Sequence, residues 1–253
     1  MLNGERFYLD RPLVLAHRGA RAAAPENTLA AFAAAAELGA DGVELDVTRC
    51  ASGEIVVLHD DTVDRTSNGS GPVAALPFYA LRELDAGAWF EARFAGQRIP
   101  LLSEALDLAG DTGLRVNIEI KGRSWRGDGI EEEIAAMVRQ RHQAGRVIIS
   151  SFNPPALMRM RRAAPELPVA LLYAADMPLH LARGWARYAV RLGAMHPHYG
   201  MVDAAYVSWA HGRGYRVNPW TVNEPADIER LIGLGVDGII GDYPERIREA
   251  LGL

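Results

Sequence analysis

Short apolar runs alternate with helix-like segments along this whole chain, and that rhythm leaves few folds open. Strands are expected at residues 13–16, 42–47, 114–120, 146–150, 169–172, 194–196, 216–218 and 238–240. Helices are expected at 28–38, 102–109, 130–140, 155–163, 179–188, 202–211, 225–234 and 244–251. Eight β/α pairs in 253 residues fit an α/β protein, a closed (β/α)8 TIM barrel. An open doubly wound sheet would need a glycine-rich phosphate turn after its first strand. Ala16-His17-Arg18-Gly19-Ala20 lacks that glycine spacing, so the barrel is preferred.

Some helix boundaries are marked by their chemistry. Asn27 is a candidate N-cap for the Ala-rich first helix, and Glu224-Pro225 puts proline in a first turn. Gly39, Gly193, Gly214 and Gly235 follow helix ends, where a left-handed residue is expected. One stretch breaks the alternation. Residues 48–100 are too long for an ordinary βα loop and hold no simple crossover helix. Within them 55–58 reads as a strand, Ser67-Asn68-Gly69-Ser70-Gly71 as turns and 76–84 as a short helix. The expectation is one barrel domain over residues 1–253, with a small subdomain inserted at 48–100 over the mouth.

The period-two rule then locates chemistry. In Gly42-Val43-Glu44-Leu45-Asp46-Val47 both carboxylates leave the same side of the strand, and burying two anions together is costly without a cation. Asn117, Glu119 and Lys121 share one face of the next barrel strand, and His17 and His59 end two further apolar runs. In a barrel such groups gather at the C-terminal rim. Three carboxylates, Glu44, Asp46 and Glu119, make an all-oxygen site suited to one divalent ion, Mg²⁺ or Ca²⁺. His17 and His59 are candidates for general acid and base, and Arg18 and Lys121 for neutralising a phosphate. A lone His-Arg-Gly is more often a turn, and a lone Glu44 could be an ion-paired barrel residue. Their joint occurrence at consecutive strand ends favours chemistry. His142, His180 and His211 are read as solvated, and His196 and His198 as non-catalytic. Met158 and Met160 read as packing, and Cys50 lacks any nucleophile signature.

The net charge of −5 argues against a general nucleic-acid binder. No apolar run approaches the ~20 residues of a membrane helix, so no stable membrane anchor is expected. Cleavage of a signal peptide of normal length would remove the first strand, and a single cysteine suits a reducing compartment. The default expectation is cytoplasmic. Nothing in the sequence indicates an oligomeric state.

The ordered series AHRGA, PENTLAAF, GVELDV, VVLHDDTVDRTSNGSG, LRELDAGAWF, IPLLSEAL, NIEIK, ISSFN, PWTVNEP and GIIGDYPE resembles the glycerophosphodiester phosphodiesterases from His17 to Glu245. The resemblance implies a (β/α)8 barrel with an insertion after strand two. It also implies hydrolysis of a small-molecule substrate, such as glycerophosphocholine or glycerophosphoethanolamine, to sn-glycerol 3-phosphate and an alcohol. It puts the metal ligands on Glu44, Asp46 and Glu119, the acid/base pair on His17 and His59, and phosphate contacts on Arg18 and Lys121. Glu26 and Asn27 are implied to orient those groups, and Trp220 to pack on the glycerol carbons, although a core role for Trp220 weighs equally. Two departures stand out. Pro219 occupies a position where a β-former is commoner, and Gly241 replaces a frequent threonine. The nucleophile is either the neighbouring glycerol hydroxyl or water. Alternative readings are a lysophospholipase D-type enzyme using Trp89, Phe90 and Phe94, a non-catalytic phosphate-binding barrel, and a sugar isomerase. The isomerase needs more rim carboxylates than the second half of the chain supplies.

Overall fold

The computed structural model describes residues 6–122, 126–177 and 184–253. Its strands are β1 (Leu13–His17), β2 (Gly42–Arg49), β3 (Ile55–Val57), β4 (Arg115–Ile120), β5 (Val147–Ser151), β6 (Val169–Tyr173), β7 (Ala194–Pro197), β8 (Arg216–Val217) and β9 (Gly238–Gly241). All but β3 run parallel, in the order β8-β7-β6-β5-β4-β2-β1-β9. The two ends of that series meet. Asp237 N–H donates to the Val217 carbonyl at 2.9 Å and Ile240 N–H to the Pro219 carbonyl at 3.0 Å, which curls the sheet into a (β/α)8 barrel. Every barrel strand lies within two residues of its expected position. Pro219 has no N–H to give, yet Asn218 and Trp220 on either side of it still donate to the Met195 and Pro197 carbonyls of β7, at 3.0 and 3.1 Å.

The helices among the described residues are α1 (Leu29–Glu37), α2 (Phe78–Glu83), α3 (Leu102–Thr112), α4 (Ile130–Gln140), α5 (Pro154–Ala163), α6 (Ala204–His211), α7 (Pro225–Leu234) and α8 (Pro244–Ala250). Part of the helix expected at 179–188 lies outside the described residues; Trp185–Tyr188 forms a 3-10 turn. Two boundary expectations need correction. Thr28, not Asn27, caps α1, its hydroxyl accepting from Ala31 N–H at 3.2 Å. Asn27 instead adopts φ +57° and turns its amide toward a buried carboxylate. Gly39, Gly214 and Gly235 are left-handed as expected; Gly193 is not.

Alternation sorts the core. Leu13, Leu15, Ile148, Ala170, Ala194 and Ile240 form one cluster inside the barrel, joined by Phe7 and Tyr8 at its N-terminal end. Val43, Leu45, Val116, Ile118 and Ile149 face outward onto Phe32 of α1, Leu102 and Leu106 of α3, Ile134 of α4 and Leu157 and Met160 of α5. Each such side chain stabilises the fold by roughly 1.5–3 kcal/mol on burial.

Residues 48–100 leave the barrel rhythm. β3 folds back antiparallel on β2, pairing Val47 with Val57 and Arg49 with Ile55. The returning chain lies beside it, with Val57 N–H donating to the Pro100 carbonyl at 2.9 Å. Cys50, Val56, Leu58, Val63, Val73, Leu81, Ala86 and Ile99 form a separate apolar cluster. Arg82 of α2 ties the segment to α3 through two hydrogen bonds to Glu104, at 2.7 and 2.6 Å.

Candidate active site

Adjacent strands in register bring the predicted groups together. His17 of β1 lies opposite Glu44 of β2, and Asp46 lies opposite Glu119 of β4, all at the C-terminal rim. Carboxylate oxygens of Glu44, Asp46 and Glu119 lie within 4.8 Å of one another, and all three residues are buried. Burial, reinforced by the neighbouring carboxylates, pushes Glu44 well above the usual range and Glu119 up to about 7. Burial also acts to raise Asp46, but Lys121, Arg18, His59 and the Asn27 hydrogen bond hold it below its ordinary value. Lys121 Nζ donates to Glu119 Oε1 at 2.9 Å and stands 3.4 Å from Asp46 Oδ1. That Asp46 oxygen is buried with no hydrogen-bond partner among the described residues. Three hard oxygen donors with one buried lone-pair site unused are compatible with a divalent cation.

The β1–α1 turn holds the set from one side. Arg18 is left-handed at φ +55°, which directs its N–H to Glu44 Oε2 at 3.0 Å. Its guanidinium bonds Glu26 at 2.8 Å and approaches Asp46 at 3.4 Å. Gly19 packs against the Ala31 backbone so closely that a Cβ would meet it at 2.7 Å. Asn27 donates to Asp46 Oδ2 at 2.9 Å and accepts from the Asp46 N–H at 3.3 Å. Glu26 and Asn27 therefore touch the groups they are expected to orient.

Glu26 is surrounded by guanidinium groups. It accepts from Arg65 at 2.9 and 2.7 Å and from Arg18 at 2.8 Å, with Arg21 at 3.6 Å. Burial opposes ionisation, yet these cations bring it down to about 2. A carboxyl depressed from 4.5 in the unfolded chain stabilises the fold above that pH and loses its contribution as pH falls toward about 2. We expect this residue to account for about 3 kcal/mol of acid destabilisation. Urea unfolding of the parent and Glu26→Gln from pH 5 to 2 measures it; parallel stability curves would refute the assignment.

Both predicted histidines sit on carboxylates. His17 Nδ1 is 2.7 Å from Asp242 Oδ1, and His59 Nδ1 is 2.6 Å from Asp60 Oδ1. An ionised carboxylate only accepts, so each contact assigns a proton to Nδ1 and leaves Nε2 outside the carboxylate contact. His17 Nε2 lies 4.0 Å from Glu44 Oε2. Burial lowers both imidazoles below the ordinary value, against the pull of their carboxylates. Asp242 is held by Asn223, whose amide donates to Oδ2 at 2.9 Å and whose Oδ1 accepts the Asp242 N–H at 2.9 Å. Gly241 before it has no room for a side chain, because the Val222 carbonyl occupies the place of a Cβ. The missing threonine is thus a packing consequence. Asp60, Asp242 and Arg65 were not singled out from the sequence. Asp60 and Arg65 fall within VVLHDDTVDRTSNGSG and Asp242 within GIIGDYPE, but neither string reveals whom they contact.

A small pocket opens over this rim, bordered by His17, Arg18, Glu44, His59, Asn117, Glu119, Phe152, Leu172, Trp220 and Ile240. Trp220 is half-buried, donates to the His196 carbonyl at 2.8 Å and meets Phe152 edge-on at 5.4 Å, giving the pocket an apolar wall. A larger cavity of about 410 Å³ lies at the opposite pole, between Tyr8, Arg161, Leu192 and Tyr215. It gathers no comparable acid–base set, so convergent chemistry, not size, identifies the site. The remaining histidines lie elsewhere. His196 is buried against Asn218 and pushed down to about 3 by burial, His211 pairs with Asp237 at 2.8 Å, and His198 packs on Trp220. His142 turns the chain after α4, and His180 lies outside the described residues.

Comparison with known proteins bears on this site. The model of the glycerophosphoryl diester phosphodiesterase family matches residues 17–246. A glycerophosphodiester phosphodiesterase of Caldanaerobacter subterraneus subsp. tengcongensis is 44% identical, over 94% of this chain and 96% of that protein. One of Bacillus subtilis is 32% identical, over 93% and 85%. Among solved structures, an Oleispira antarctica phosphodiesterase in complex with the product sn-glycerol-3-phosphate superposes with a TM-score of 0.83 at 31% identity, covering 96% of this chain and 98% of that one. A glycerophosphodiester phosphodiesterase from Agrobacterium tumefaciens gives 0.80 at 28% identity, over 94% and 99%. With the barrel, the rim and these relatives in agreement, the chain belongs to the glycerophosphoryl diester phosphodiesterase family and is a phosphoric diester hydrolase.

Proposed function

We propose that the enzyme hydrolyses deacylated glycerophosphodiesters, such as glycerophosphocholine and glycerophosphoethanolamine, to sn-glycerol 3-phosphate and an alcohol. The observation that carries this reading is the pair of imidazoles, His17 and His59, each anchored through Nδ1 beside the Glu44–Asp46–Glu119 cluster. A divalent ion, Mg²⁺ or Ca²⁺, bound to those three carboxylates would polarise the phosphoryl oxygens. Arg18 and Lys121 stand at the same rim and offset the charge that builds on phosphate. One imidazole removes the proton of the attacking hydroxyl, from water or from the neighbouring glycerol carbon. The other, carrying a proton on Nε2 as well as Nδ1, gives the Nε2 proton to the departing alcohol oxygen as its bond to phosphorus breaks. Trp220 and Phe152 offer apolar surface to the glycerol carbons.

Asp242 serves here to fix the His17 tautomer. Asp242→Asn can present an N–H where a carboxylate accepted, and we expect kcat to fall by about 10²-fold or more with KM little changed. A variant within threefold of the parent would remove that role.

An acyl-bearing substrate is the second reading. Trp89, Phe90 and Phe94 form an edge-to-face series at 5.7 and 5.6 Å, and Trp89 is 40% exposed. None of the three borders the rim pocket, which favours the deacylated substrate. The deciding experiment assays metal-depleted and metal-restored enzyme on a glycerophosphodiester panel and on lysophosphatidylcholine, with release of glycerol 3-phosphate or lysophosphatidic acid as readout. We expect glycerol 3-phosphate to dominate. Faster turnover of the lysolipid selects the second reading, and binding without turnover in saturating metal indicates a non-catalytic barrel.

A further inference from the structure

We propose that Arg65 is the positioning residue that fastens the proton-transfer half of the site to its phosphate-binding half, by bridging the carboxylates that carry His59 and Arg18. The inference takes the roles of His59 and Arg18 from the function proposed above, and their placement from geometry alone.

Arg65 uses all three guanidinium nitrogens. Nη1 and Nη2 donate to Glu26 Oε2 and Oε1 at 2.9 and 2.7 Å. Nε and Nη2 donate to Asp60 Oδ2 and Oδ1 at 2.7 and 3.1 Å. On one side, Asp60 receives the His59 Nδ1–H at 2.6 Å. On the other, Glu26 receives Arg18 at 2.8 Å. His59, Asp60 and Arg65 belong to the inserted segment, whereas Arg18 and Glu26 belong to the β1–α1 turn. One planar fork therefore joins parts of the site that share no covalent scaffold. Arg65 does not border the rim pocket, so it acts through its partners and not on substrate.

The two partners depend on it unequally. Glu26 keeps Arg18, and Arg21 at 3.6 Å, if Arg65 is lost. Asp60 has no cation besides Arg65 among its described ion pairs other than His59 itself. Without Arg65, Asp60 loses the guanidinium that holds it, and His59 loses its fixed orientation. A lysine cannot replace the fork, because one ammonium does not serve four carboxylate oxygens in a plane.

The test compares Arg65→Gln, Arg65→Lys, Asp60→Asn and the Arg65→Gln/Asp60→Asn double variant, with melting temperature recorded for each. Arg65→Gln is expected to lower kcat by about 10- to 100-fold with KM within about threefold, as a misplaced catalytic group does. Arg65→Lys should recover only part of that loss. The double variant should be no slower than the worse single one, since both act through His59. Imidazole ¹⁵N shifts give a readout free of activity. In the parent, His17 and His59 should both be protonated at Nδ1; in Arg65→Gln, or Arg65→Lys if the former is unfolded, only His59 should become a tautomer mixture. Unchanged His59 shifts, a kcat within twofold of the parent, or multiplicative losses in the double variant would overturn the proposal. If the parent hydrolyses no glycerophosphodiester but the His59 shifts respond selectively, the bridge stands and the assigned reaction falls.

Discussion

Replacing His17 or His59 with alanine is expected to lower kcat by roughly 10²–10⁴-fold while leaving the protein folded. Each imidazole is anchored at Nδ1, so truncation would remove the Nε2 to which the proposed proton transfer is assigned. Folding should survive because neither ring belongs to an apolar core cluster, and His59 is about one third exposed. The loss should fall on kcat rather than KM, because a proton moves only as the transition state forms. Steady-state kinetics with circular dichroism of both variants checks this. Either variant keeping more than a tenth of the parent rate would remove its histidine from the proton-transfer pair.

Chelation should abolish turnover, by ~10³-fold or more, since a Lewis acid at the phosphate contributes several kcal/mol. The physical reason lies in the carboxylates. Glu44 and Glu119 are both raised by burial and by their anionic neighbours, so a bound cation would offset a real cost of ionising all three carboxylates together. Adding back Mg²⁺ or Ca²⁺ should restore the rate and raise the melting temperature, with about 2.7 kcal/mol of stabilisation at a hundredfold excess over Kd. Glu44→Gln should need more metal for half-maximal rate and recover partly at high concentration. Full activity and an unshifted melting temperature after chelation would refute the metal site.

The strands and the acidic cluster were legible because both rest on local rules. Alternation alone placed Glu44 and Asp46 on one face and Asn117, Glu119 and Lys121 on another, and parallel pairing set Asp46 beside Glu119. What stayed hidden was the outer layer. His17 meets Asp242 across 225 residues, and Arg65 reaches Glu26 across 39. Such contacts arise only when the barrel closes, so no window along the chain contains both partners. The Asn27 error has the same origin. Asn and Thr are both good capping residues, and only the buried Asp46 carboxylate decides that Asn27 serves the site while Thr28 caps the helix.

The antiparallel pairing of β3 with β2 closes the inserted segment at its base. Leu58 N–H bonds the Asp46 carbonyl at 3.0 Å, and Pro100 returns beside Val57, so the excursion begins and ends at the same place. The point at which His59 leaves β3 is thereby set by a ladder two residues away and not by the length of the segment that follows, and Asp60 with Arg65 then holds its ring. A change of length within residues 73–97, none of which borders the rim pocket, is therefore expected to leave His59 in place and turnover at its original speed.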